Sequence, residues 1–451
     1  MRVVQTAASF GRNVIVSSAT LNPELARGIA AAYAAGRRCF QAVSGQGAAA
    51  QQDWHMMIVH DDPAMPPVQI KSPCVDKANG FYRERMQAIA SQIRSKAATK
   101  RYRIVPAPSQ DRFFSAVADE AVGLHEQWAA QPAGLACRVS IGLIRVANVS
   151  TCMDLAERLR TDGRFTVCAY HAKDLLERRA WREVWMDRIL YRGDGQWIEA
   201  LKEAVPGLDA VTGDVRLIIV ATPVEEVGRD HDFDWAIIEP SSMQSVIQTA
   251  GRVNRHRRMP IEAGAYNIAL LSKNLRALRK PEGRCFVWPG LEAEGKDAKS
   301  THPQHDMQDL MLAALAGEGA GEGGGEGCGE DVLDAGLVFD SDRRKTRFAQ
   351  YDENSVRQQI DQVLPIIERL PGRAMGLILK AYARDYPLRD SAPPMRYIVH
   401  WQECELMLNG IKKTGSVKIE AEQPSGTWLC PPLAAVVQEG RLSLDLSLIH
   451  I

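Results

Sequence analysis

Apolar runs and amphipathic stretches alternate along the middle of the chain. SIGLIRVANV (140–149) is an apolar, β-branched run and reads as a strand. TCMDLAERLR follows with helical spacing, then a second run, FTVCAYHA (165–172). A long helical segment, DLLERRAWREVWMDRILYR, comes next. After it stand VRLIIVAT (215–222), FDWAIIEP (233–240), a helix opening at Ser241, and AYNIALLS (265–272). Strands alternating with helices predict an α/β fold whose parallel sheet is covered on both faces. In such sheets ligands sit beyond the C-terminal strand ends.

The flanks are less regular. NVIVS (13–17) predicts a short buried strand, and Asn22-Pro23 opens a helix through LARGIAAAYAAG that stops at Gly36. Residues 37–135 show no clear period and no recognisable chemistry; HDDPAMPPVQIKSP within them is proline-rich and reads as loop. AGEGAGEGGGEGCGE (316–330) is a Gly/Glu linker with nothing to bury. Patterns such as NSVRQQIDQVLPIIERLPG predict a separate, mostly helical small domain over 346–451. No internal repeat is visible.

The length of 451 residues accommodates about three domains at roughly 150 residues each. Lys+Arg and Asp+Glu are both 55, so a nucleic-acid partner must be argued from local basic patches. Cysteines at 39, 74, 137, 152, 168, 285, 328, 404 and 430 form no C-x-x-C pair. That speaks against a zinc ribbon or a secreted disulfide framework and suits a reducing cytosol. No apolar run reaches the roughly 18 residues of a transmembrane helix, and MRVVQTAASFGRNVIV lacks the layout of a signal peptide. The expected location is the cytoplasm.

Three stretches carry candidate chemistry. In SSMQSVIQTAGRVNRHRR, Ser241 or Ser242 can cap a helix, and Met243, Val246, Ile247 and Ala250 form a core-facing stripe. At about 100° per residue, Gln248, Arg252 and Arg255 then share roughly the opposite face. Guanidiniums suit bidentate phosphate contacts, although a solvated helix end with basic residues reads the same way. In VRLIIVATPVEEVGRDHDFDWAIIEP, Thr222 ends a strand where a hydroxyl can meet a backbone phosphate. Gly228 permits a close backbone approach, and Asp230 can accept from a ribose hydroxyl or orient an arginine. The bland alternative is an ordinary loop. The third stretch, Ser18-Ala19-Thr20, follows the NVIVS run and is common by chance. The His-Asp pairs at 60/61, 231/232 and 305/306 lack further histidines at ligand spacing, so no metal site is expected.

The order SAT, VATPVEEVGRDHDFD, QTAGRVNRHRR resembles motifs III, V and VI of superfamily 2 helicases. The wording EEVGRDHDFDWAIIEPSSMQSVIQTAGRVNRHRR, with AYHAKDLLERRAWREVWMDRIL before it and NIALLSKNLRALRKPEG after it, resembles the helicase–nuclease of type I CRISPR systems, the I-F (Ypest) branch most. The resemblance implies two RecA-like domains that clamp ATP and Mg²⁺ and move along single-stranded DNA. It also implies degradation of the target strand after recruitment by a crRNA-guided surveillance complex. Ser18, Ala19 and Thr20 would relay the nucleotide state. Thr222 would touch DNA, Gly228 and Asp230 would sit near the nucleotide, and Gln248 would support that site. Arg252 and Arg255 would reach the γ-phosphate, with Arg255 as arginine finger.

The sequence has no G-x-x-x-x-G-K-[ST] phosphate loop, no D-E-x-H box and no His-Asp nuclease domain. The expected organisation is therefore a remnant of the first RecA-like domain (1–36), an insertion or linker (37–135), the second RecA-like domain (136–275), a linker (276–345) and a partial C-terminal domain (346–451). The missing N-terminal half of the same protein is an expected partner, and the chain alone is expected to be inactive. The tail LSLDLSLIHI (442–451) resembles translated sequencing adapter. Alternatives are another superfamily 2 helicase, acting on RNA or DNA, and a non-catalytic nucleic-acid-binding module.

Overall fold

The structure, a computed structural model, describes residues 1–18, 21–43, 55–59, 66–71, 75–292, 302–312, 331–339 and 345–369, apart from 95, 108, 194, 206 and 303, together with the backbone of three strands between 398 and 416. In chain order the elements are α1 (Arg2–Ser9), α2 (Pro23–Val43), β1 (His55–Ile58), β2 (Val68–Lys71), α3 (Val75–Arg94), β3 (Tyr102–Val105), α4 (Phe113–Trp128), β4 (Arg138–Arg145), α5 (Val149–Asp162), β5 (Thr166–Tyr170), α6 (Leu176–Leu190), α7 (Trp197–Ala204), β6 (Asp214–Ala221), β7 (Trp235–Ile238), α8 (Met243–Ala250), β8 (Ile268–Leu271), α9 (Leu275–Arg279), α10 (Met307–Leu310), α11 (Gly336–Phe339), α12 (Arg347–Arg369), β9 (Ile398–Gln402), β10 (Glu405–Asn409) and β11 (Thr414–Ser416). The chain forms two compact units. One comprises Met1–Gln110, Pro240–Gly251 and Pro260–Leu388; the other comprises Asp111–Glu239, Arg252–Met259 and Arg389–Ile451.

The second unit holds four parallel strands in the order β7-β4-β6-β5. Leu143 of β4 faces Ile219 of β6 on one side and Ala236 of β7 on the other. The apolar run of β4 is buried from Val139 to Arg145, as a strand covered on both faces requires. Helix α4 packs on β4 and β7, and α5 on β5 and β6. Each Ile or Leu so buried contributes about 1.5–3 kcal/mol. The β4, β5, β6 and β7 runs are thus strands, as their patterns predict.

The first unit holds the parallel pair β3-β8, in which Ile104 faces Leu270. Tyr102–Val105 therefore joins a parallel pairing from within a region whose sequence shows no clear period. Val68–Lys71, in the proline-rich stretch read as loop, pairs antiparallel with His55–Ile58.

Two expectations fail here. Residues 13–17 form no strand; Ile15 is 95% exposed and Val16 44%. A β-branched run becomes a strand only where a neighbour supplies hydrogen bonds and an apolar face, and none lies beside it among the described residues. Asn22 does open α2, its Oδ1 accepting from the Glu24 N–H at 2.8 Å. But α2 continues past Gly36 to Val43. A Cβ at 36 would stand 2.3 Å from the Gln5 carbonyl oxygen of α1, so this glycine serves a helix crossing instead of a helix end.

Of the helical pattern NSVRQQIDQVLPIIERLPG (354–372), residues 354–369 lie in α12 and the rest fall outside the described residues. The Gly/Glu run 316–330, the tail 442–451, Ala19 and Thr20 lie outside the described residues. Among the described residues no helix is long and apolar enough to cross a membrane.

Candidate active site

Beyond the C-terminal end of β6 the chain runs through Thr222 and a short turn, Pro223–Glu226, to Gly228 and Asp230. Thr222 is only 5% exposed, and its backbone N–H donates to the Tyr170 carbonyl at 3.1 Å. Gly228 has φ of +65°, which L-residues adopt only with strain. A Cβ there would meet nothing of this chain within 4 Å, so it is the turn's positive φ that calls for glycine here.

Ser242 caps α8 by accepting from the Ser245 N–H at 3.1 Å. Met243, Val246 and Ala250 are buried as the stripe requires; Ile247 is only half-buried. The helix then ends, and the expectation that Arg252 and Arg255 share a helix face with Gln248 is wrong. Gln248, half-buried, lies on α8 in the first unit, whereas Arg252–Met259 belongs to the second. Past Gly251, Val253 bridges in parallel to Phe233. The Phe233 N–H donates to the Arg252 carbonyl at 2.8 Å and the Asn254 N–H to the Phe233 carbonyl at 2.9 Å. Asn254 follows at φ +47°, a left-handed conformation that asparagine tolerates. Backbone pairing to the β7 approach outcompetes another helical turn.

Arg255 and Asp230 nevertheless meet. Arg255 Nε donates to Asp230 Oδ1 at 2.7 Å, and His256 Nε2 lies 3.1 Å from the same oxygen. His256 and, against the opposing effect of burial, Arg255 hold the Asp230 carboxyl below its ordinary value. Arg252 is buried; its Nη2 donates to the Glu226 carbonyl at 2.9 Å, and its Nε has no partner. Burial, then the neighbouring Arg255 charge, pulls the Arg252 guanidinium below its usual value. Ser18 is exposed within the first unit.

Reading the motifs alone misses the framework beneath this pair. In RDHDFD the carboxylates alternate: Asp230, Asp232, Asp234. Asp232, 0% exposed, accepts the backbone N–H groups of Arg255 (3.0 Å), His256 (3.2 Å) and Arg257 (3.3 Å). It also takes two bonds from the Arg257 guanidinium, at 3.0 and 2.9 Å. Burial opposes ionisation of Asp232, but these donors outweigh it and keep the carboxyl low. Asp234 accepts from the Ile141 N–H of β4 at 2.7 Å, from Arg192 at 2.9 Å and from Arg257 at 2.5 Å. The signal available in the sequence is the every-second-residue spacing of acids opposite an arginine-rich turn. His231 is a structural bridge, with Nδ1 2.6 Å from Glu225 and Nε2 2.9 Å from Asp187. Among the described residues no group of three or more His, Cys, Asp or Glu is arranged to hold a metal ion.

A parallel α/β domain thus carries an acid-bearing loop at a strand end, held against an arginine turn. Residues 138–258, which contain this whole arrangement, match the family described as CRISPR-associated nuclease/helicase Cas3, C-terminal. The chain is 32% identical over 331 residues to the subtype I-F/YPEST Cas3 of Pseudomonas aeruginosa (strain UCBPP-PA14), covering 70% of this chain and 30% of that protein. It is 31% identical over 318 residues to the corresponding Cas3 of Pectobacterium atrosepticum, covering 68% and 29%. Over about two thirds of its length the chain is similar to subtype I-F Cas3 nuclease/helicases, and over residues 138–258 to the family's C-terminal part. It spans less than a third of those relatives' lengths. Among solved structures, T. fusca Cas3 with AMPPNP is similar at 14% identity and a TM-score of 0.38, covering 85% of this chain and 36% of that one. A CRISPR RNA-guided surveillance complex, pre-nicking, gives 14% and 0.38, covering 85% and 38%.

Proposed function

We propose that the chain is the C-terminal helicase part of an ATP-driven translocase and nuclease that acts on single-stranded DNA in type I-F CRISPR interference. The observation that carries this reading is the Arg252–Arg255 turn held against the Gly228–Asp230 loop, inside the segment that matches the Cas3 family. Phosphoryl transfer spreads negative charge over the γ-phosphate oxygens, and a fixed arginine stabilises that charge. Arg255, 42% exposed, is the finger. Arg252 offers a buried, unpartnered Nε as a second contact. Asp230, 63% exposed, accepts from the ribose once it releases Arg255. Gln248 supports the site, and Ser18, Ala19 and Thr20 relay its state. Thr222 contacts DNA after the Pro223–Glu226 turn moves.

ATP is the substrate. The phosphate cradle and the Mg²⁺ ligands are expected in the portion of the relatives that this chain does not span. The chain alone therefore does not turn over ATP. The partners are single-stranded DNA, a crRNA-guided surveillance complex and the counterpart of the relatives' portion that this chain does not span; the location is the cytoplasm. The test is ATP turnover by the intact protein with single-stranded DNA or RNA of one sequence. Stimulation by DNA supports the reading; stimulation by RNA alone replaces it with an RNA helicase.

A further inference from the structure

We infer that Asp232, acting with Arg257, is the positioning residue of the arginine finger; the inference rests on the role proposed for Arg255. A finger must present its guanidinium at a fixed point, yet the side chain of Arg255 is half in water, and Asp230, which it meets, is more exposed still. A side-chain contact this wet does not by itself fix a position. The fixing is done on the backbone. Asp232 accepts three consecutive amides, those of Arg255, His256 and Arg257, directly after Asn254 turns the chain at φ +47°.

Arg257 completes the clamp. Its Nε and Nη2 grip both Asp232 oxygens, Nη2 also donates to the Phe233 carbonyl at 2.9 Å, and Nη1 donates to Asp234. Asp234 is itself tied to the Ile141 N–H of β4. A continuous line therefore runs from the sheet through Asp234, Arg257 and Asp232 to the backbone of Arg255. Arg257 spends its fork within this line, so it is a frame and not a third phosphate contact. The site demands a carboxylate. Five donors converge on Asp232, and an amide would turn an NH₂ group toward some of them.

The test is a mutant cycle in the intact helicase. A displacement of about 1 Å at a reacting group costs on the order of 10²-fold in rate. Asp232→Asn should lower kcat about 10²-fold, with the KM for ATP and the Kd for single-stranded DNA moving less than about threefold, the pattern of an interaction made in the transition state. In an Arg255→Ala background the same change should have no further effect, because Asp232 acts only through Arg255. Arg257→Lys should reproduce the loss partly, since it keeps the charge and loses the fork. Should Asp232→Asn fail to fold, Asp232→Glu and Arg257→Lys are carried through the same cycle. In this chain alone, amide hydrogen exchange at 255–257 should speed up in Asp232→Asn.

Additive losses in the double variant, or a raised KM at unchanged kcat, overturn the inference while leaving the finger in place. Normal turnover in Arg255→Ala overturns the finger itself, and the inference with it.

Discussion

Asp230 Oδ1 lies 2.7 Å from Nε of Arg255, and both side chains face solvent, at 63% and 42% exposure. One acid and one arginine, each assigned a different part of the nucleotide, thus hold one another. Two residues further on, Asp232 holds Arg257 with no exposure of its carboxylate. An exposed pair is worth about 0–1 kcal/mol. Breaking a buried one costs about 3–5 kcal/mol, because the remaining charge is left unpaired. In urea unfolding, Asp230→Asn should change stability by less than about 1 kcal/mol and Asp232→Asn by several times as much. Equal losses would contradict the division between a releasable pair and a fixed frame.

A pH dependence arises in the first unit. Burial works against protonation of His305, but the Cys285 thiol and the Glu292 carboxylate, 3.3 Å from Nε2, outweigh it and push its pKa up to about 9. A folded value above the unfolded one, about 6.5, means the contribution is complete below about pH 6.5 and lost as pH rises through about 9. The urea midpoint of the chain should therefore decline over that window, and less so in His305→Gln. Parallel curves for the two proteins would show that this histidine does not carry the effect.

Two glycines should respond oppositely to alanine. Gly123, in α4, has open space where a Cβ would go, so Gly123→Ala should stabilise by about 0.5–1 kcal/mol through helix propensity. At Gly36 the same gain is outweighed, because the Cβ would collide with the Gln5 carbonyl oxygen at 2.3 Å. Overpacking of this kind costs about 1–3 kcal/mol. Calorimetry of the two variants should give melting temperatures shifted in opposite directions.

The contrast at Gly36 shows where sequence reading stops. A glycine within a helical pattern signals either an end or a close crossing, and only the partner, α1, decides between them. The strands β4 to β7 were legible because burial on both faces leaves unbroken apolar runs. NVIVS carried the same local signal without, among the described residues, a neighbour to pair with. Arg252, Arg255, Gly228 and Asp230 were legible as motif residues, and the structure brings Asp230 and Arg255 together. Their geometry was not legible: α8 ends at Ala250, because pairing of Val253 to Phe233 replaces the helical turn that periodicity extends through Arg255. Asp232 and Asp234 went unread because an alternating acid pattern has no meaning until the turn it grips is in place.

The isolated chain should bind and hydrolyse ATP poorly or not at all. An arginine turn supplies one wall of a phosphoryl-transfer site, and the sequence holds no G-x-x-x-x-G-K-[ST] phosphate loop for the other. Turnover by the purified chain, stimulated by single-stranded DNA and lost in Arg255→Ala, would contradict this.

The central claim is that Arg255 acts on the nucleotide and not on the DNA. Its most direct measurement is ATP turnover and single-stranded DNA affinity of Arg255→Ala in the intact helicase. Loss of an arginine finger lowers turnover by about 10³ to 10⁵, whereas loss of one phosphate contact to DNA trims affinity and reduces the salt slope by about one. The account predicts the first loss with DNA affinity and salt slope retained, and poor rescue by lysine, which lacks the planar fork. Normal DNA-stimulated turnover with weakened, less salt-sensitive DNA binding would make the turn a DNA patch and contradict the account.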